Sequence, residues 1–131
     1  MGRPATIHID RLAVLRNIAN AIVTKRAALE AEREALAARM AAGEQRRPMY
    51  SRDCPETWLK DLQINGIAYD LPAFLGRWPT SSERIRTQQA IRQLAADGLV
   101  ELIGDKARRV LVTPAGWQAA ALVPAERRHA S

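Results

Sequence analysis

The chain has 131 residues, 47% hydrophobic, 5% aromatic and 26% charged, with a formal net charge of +6. That length suits one domain with an appended element, and the basic excess favours nucleic acid or another polyanion as partner. A single cysteine, Cys54, excludes an internal disulfide and a zinc constellation, and no apolar run approaches the length of a membrane span.

Both ends of the chain are basic and the middle is slightly acidic: the balance is +4 over residues 1–50, −2 over 51–76 and +4 over 77–131. Residues 1–9 read as a disordered terminus. Gly2-Arg3-Pro4 carries an AT-hook tripeptide without flanking basic residues, and Met1-Gly2 opens a loose myristoylation pattern; a frayed end is the better reading of both. Asp10 is a plausible N-cap for a long helix over 10–42, free of Pro and Gly, which Gly43 can end. Leu15, Ile22, Leu29 and Leu36 recur every seven residues in it. Leu12, Ile18, Ala19 and Met40 add a broken second row that turns polar at Lys25, Arg26, Glu32 and Arg33. The later half, AALEAEREALAARMAA, would let another helix approach closely. The heptad row predicts either a coiled-coil-like homodimerisation helix or a helix lying across the domain.

Residues 43–52 read as a linker. Asp53-Cys54-Pro55-Glu56 then opens a helix, with Asp53 as N-cap and Trp58, Leu59, Leu62 and Ile64 as its apolar side, stopped by Gly66. Asp70 caps a short helix, LPAFLG. Thr80-Ser81-Ser82-Glu83 has capping-box spacing and starts a longer helix that runs to Asp97, with Gly98 beyond it. Strands are expected over Leu99–Ile103 and Arg109–Thr113, joined by Gly104, Asp105, Lys106, Ala107 and Arg108. Thr113 and Pro114 start a last helix that buries Trp117, Ala121 and Leu122 and ends at Pro124. Residues 124–131 read as a disordered tail.

From Asp53 the predicted order is helix, short helix, turn, longer helix, hairpin, helix. The stretch DLPAFLGRWPTSSERIRTQQAIRQLAADGLVEL resembles the bacterial winged helix-turn-helix pattern through Leu71, Phe74, Leu75, Gly76, Ala90, Ile91, Leu94, Gly98, Leu99, Val100 and Glu101. RRVLVTPAGWQAA resembles the end of the wing in MarR-like regulators, through Leu111, Val112, Thr113 and Gly116, and the helix–Gly–Leu–Val junction is similar to that of GntR-like regulators. The resemblance covers roughly residues 53–122. It implies a mainly α fold with a small β-hairpin, a winged helix-turn-helix over 53–123 preceded by the long helix.

The physics of the longer helix gives the same expectation independently. With Ile91 at the centre of the buried face, Thr87, Leu94 and Ala95 join it. Ser82, Arg86, Gln89 and Gln93 then face outward, with Arg92 on the flank and Arg84 as a further contact if Ile85, which falls between the faces, turns inward. Arg suits guanine or phosphate and Gln suits adenine, and the N-terminal part of such a helix meets base edges in the major groove. Lys106, Arg108 and Arg109 at the hairpin tip suit the DNA backbone or minor groove, adding affinity and salt dependence more than sequence choice. Trp58, Trp78 and Trp117 read as packing residues, Trp78 covering the helix junction.

These features point to a sequence-specific double-stranded DNA-binding protein, a homodimeric transcriptional regulator of bacterial or phage type, repressor rather than activator, in the cytoplasm with the nucleoid. The alternatives are a winged-helix protein-interaction module and a plasmid or phage replication accessory protein. No catalytic constellation, metal spacing or cofactor fingerprint is legible, so neither an enzyme activity nor a cofactor is expected.

Overall fold

The computed structural model describes residues 9–44 and 54–121. The expectations for the two termini, for most of the 43–52 linker, and for Asp53, Leu122 and Pro124 lie outside the described residues.

Helix α1 spans Arg11–Ala41. The Asp10 carboxylate accepts the Leu12 N–H at 3.0 Å, satisfying one of the orphan donors of the first turn. The helix stops at Ala42, and Gly43 follows in the left-handed region at φ 75°. Its buried stripe is Val14, Leu15, Ile18, Ala19, Ile22, Leu29 and Leu36. Leu12 and Met40 stay exposed, so the second row reduces to Ile18 and Ala19.

The stripe faces the rest of the chain. Helix α1 packs on α2 (Pro55–Asn65), α3 (Leu71–Leu75), α4 (Ser81–Ala96) and β3 (Arg109–Val112). Leu15, Ile22 and Leu29 belong to one core with Leu62, Leu71, Phe74, Ile91, Leu94, Val100, Val110 and Val112, and Leu36 is buried as well. Leu15, Ile22 and Leu29, expected to serve dimerisation, are thus placed inside the core of one chain. Helix α1 supplies much of the aliphatic volume of that core through Val14, Leu15, Ile18, Ile22 and Leu29. Helix α1 therefore lies across the domain as part of it.

Helix α2 begins after Cys54, whose side chain makes no cap bond, with Pro55 tolerated in the first turn. Leu62 is buried and Leu59 half-buried, but Trp58 and Ile64 are exposed. Ile64 lies roughly 200° around the helix from Leu62, so both cannot face α1. A short strand that the sequence reading lacked, β1 (Ile67–Ala68), pairs antiparallel with β3 through Ile67↔Val110 and Ala68↔Arg109. With β2 (Val100–Ile103) on its other edge, β3 is the central strand in the order β1-β3-β2.

Helix α3 is capped by Asp70, whose Oδ1 accepts the Ala73 N–H at 3.3 Å. Gly76 ends it in the left-handed conformation. Asn17 of α1 donates to the Phe74 carbonyl at 2.8 Å, and the buried Phe74 ring meets Tyr69 edge-on at 5.8 Å. The last helix, α5, covers residues 114–121. Thr113 Oγ1 accepts the Gly116 N–H at 3.0 Å and donates to the Gly98 carbonyl at 2.6 Å. Ala120 is buried and Trp117 half-buried, whereas Ala121, expected to be inward, is exposed. The architecture is mainly helical with a small antiparallel three-stranded sheet, and no helix of the described residues is long and apolar enough to cross a membrane.

Candidate nucleic-acid interface

Helix α4 starts with a complete capping box. Thr80 Oγ1 accepts the Glu83 N–H at 3.2 Å, and Glu83 Oε1 accepts the Thr80 N–H at 2.9 Å. Thr87, Ala90, Ile91 and Leu94 are buried and Ala95 is half-buried, which fixes the rotation of the helix. Ser82, Arg84, Arg86, Gln89, Arg92 and Gln93 are all exposed. Ile85, which could have turned inward, is 58% exposed instead. Arg84 is exposed without that rotation.

The carboxylates bordering this face are already engaged. Arg77 pairs with Glu83, and Arg11 Nη1 lies 3.1 Å from Asp97 Oδ2. The exposed face itself carries arginines, amides and a hydroxyl. Arg86 Nη1 makes a long 3.5 Å contact with Gln89 Oε1, so the two side chains lean together. Arg92 acts on Tyr69, whose phenol is pushed up by burial and held back by the arginine charge.

Glu83 also gives the helix start a pH dependence. The Arg77 guanidinium, followed by the Thr80 N–H, lowers its carboxyl from 4.5 to about 2. A carboxyl depressed on folding contributes stability fully above its unfolded value and loses it as pH falls toward the folded one. Chemical denaturation should therefore show a loss between about pH 5 and about pH 2.5 that Glu83→Gln reduces. An unchanged loss in the variant would assign the acid sensitivity to other carboxylates.

The hairpin tip is a short 3₁₀ turn, Asp105–Ala107, entered from Gly104. Lys106 and Ala107 hold positive φ angles of 60° and 51°. Lys106 and Arg108 are exposed, and neither pairs with a carboxylate among the described residues. Arg109 is different, and its placement with the wing cations is corrected. Its guanidinium turns away from the tip to Asp61 Oδ2 at 2.7 Å and to the Gly66 carbonyl. That pair holds the Asp61 carboxyl below its usual range, with the Asn65 amide adding a second bond. The cause is β1. It makes β3 central, so residue 109 lies beside Ala68 and within reach of α2. Without the third strand in view, Arg109 reads as the last residue of a basic turn.

Trp78 also lies elsewhere than expected. It covers no junction but is 85% exposed in the α3–α4 turn. With Pro79, Arg84 and Gln88 it borders a shallow pocket of about 380 Å³. Comparison of the chain with protein-family models, with curated proteins and with solved structures finds no match.

Proposed function

We propose that the chain is a winged helix-turn-helix protein that binds specific sequences in double-stranded DNA and regulates transcription by occupying an operator, as a repressor. The observation that carries this reading is the exposed face of α4. Five polar or cationic side chains, Ser82, Arg86, Gln89, Arg92 and Gln93, share it, Arg84 is exposed on another side beside Trp78 and Pro79, and the nearest acids, Glu83 and Asp97, are tied to Arg77 and Arg11. That combination offers base-edge donors and acceptors without a carboxylate to repel phosphate. The order helix, strand, short helix, helix, hairpin supports the same reading. Lys106 and Arg108 act as wing contacts to the backbone or minor groove. Arg109 holds the base of the wing. A two-fold assembly through Leu15, Ile22 and Leu29 would have to unpack the core, so a homodimer on DNA would pair through another surface.

Fluorescence anisotropy with specific and random duplexes tests the assignment. Arg86→Ala and Gln89→Ala should each remove about 1–3 kcal/mol of discrimination between them. Lys106→Ala should weaken both duplexes alike and lower the salt slope by about 1. Arg109→Ala should leave the slope unchanged and reduce stability by roughly 1–2 kcal/mol, since it strands the Gly66 carbonyl and Asp61. Full specific binding in Arg86→Ala, Gln89→Ala and Lys106→Ala alike would sink the proposal.

A further inference from the structure

Ile85 is the one large aliphatic side chain on the exposed face of α4, and it is 58% exposed. At roughly 100° per residue it lies within about 60° of Ser82, Gln89 and Arg92, on the Arg92 side of that face. It sits one turn before Gln89, on neighbouring ground at the helix surface. Burial cannot account for it, because Thr87, Ala90, Ile91 and Leu94 already fill the inward side.

The major groove displays one apolar group among its donors and acceptors, the 5-methyl of thymine. Gln89, one turn on, has the amide suited to adenine N6 and N7. An aliphatic side chain beside an adenine-reading amide matches the two edges of an A·T pair. Arg86 and Arg92 on either side supply the cations that hold the phosphates close. We infer that Ile85 is a specificity residue that packs on a thymine methyl within one base-pair step of the adenine held by Gln89. The inference rests on the DNA-binding reading and names the sequence element that the site prefers.

The test begins with selection of a tightly bound duplex from a random double-stranded library by the full chain. Each thymine of the selected duplex is then replaced singly by uracil, which keeps the pairing and removes only the methyl. At one thymine the wild type should lose roughly fourfold in affinity, the worth of one methyl group kept from water. In Ile85→Ala the same replacement should change affinity by less than about twofold, because the partner surface is already gone. Gln89→Ala should lose preference for the adenine within one step of that thymine. Binding that is indifferent to every thymine-to-uracil change overturns the inference and leaves DNA binding intact. A thymine effect of equal size in the wild type and Ile85→Ala does the same. A library from which no duplex is enriched overturns both readings. Ile85 is exposed, so its truncation is not expected to disturb folding, and the thermal midpoint of the variant checks this directly.

Discussion

Gly66→Ala is expected to destabilise the fold by roughly 3–5 kcal/mol, at the severe end for a single substitution. Gly66 sits at φ 72°, where an L side chain is strained. The larger effect is space: a Cβ there would lie 1.8 Å from the Val110 carbonyl oxygen and 2.8 Å from the Leu111 Cα. Both are backbone atoms of the central strand, so no rotamer change relieves the clash. The displaced strand would also pull on Arg109, which binds the Gly66 carbonyl. Gly98→Ala is the control. It shares the positive φ, at 76°, but its Cβ would meet nothing within 4 Å. Its cost should be about 1–2 kcal/mol, from conformation alone. Thermal denaturation of the two variants checks the difference, and equal losses would show that conformation rather than contact governs Gly66.

Leu15→Ala and Ile22→Ala are expected to lower stability by about 2–5 kcal/mol each, as cavities in a closed core do. Leu15 is 0% and Ile22 4% exposed. Against a typical domain stability of about 5–15 kcal/mol, either change consumes much of the margin. Because the cavity lies inside one chain, the loss should be the same at low and high protein concentration. A midpoint that rises with concentration in the wild type, and loses that dependence in the variants, would restore the row to a subunit seam.

Much of the local structure was legible because single residues announce it. Asp10, Asp70, Thr80 with Glu83, and Thr113 all cap the helices expected of them, and Gly43, Gly76 and Gly98 stand where helices stop. The outward set on α4 followed from placing Ile91 at the centre of the core. The misreadings concern which distant partner a surface meets. A heptad row looks alike whether it faces a second copy or its own domain, so Leu15, Ile22 and Leu29 could not reveal their neighbours. The strand β1 has two residues, too few for any period. Once β1 was missing, Arg109 lost its reason to leave the wing. Trp78 and Ile85 were read as packing or borderline residues because size and hydrophobicity suggest burial, while their exposure depends on helix rotation and turn geometry.

The position of α1 in the core also has a temporal side. Val110 and Val112 are synthesised about 95 residues after Val14, Leu15 and Ile18 of the same cluster. At synthesis rates of about 5–20 residues per second, the apolar stripe of the first helix waits roughly 5–20 s for its far partners. During that interval Leu62, Leu71, Phe74, Ile91 and Leu94 of the same cluster are made in turn, so the stripe is covered in stages. The core spanned by these residues closes only when the β2–β3 hairpin is in place, so its completion depends on contacts distant in sequence.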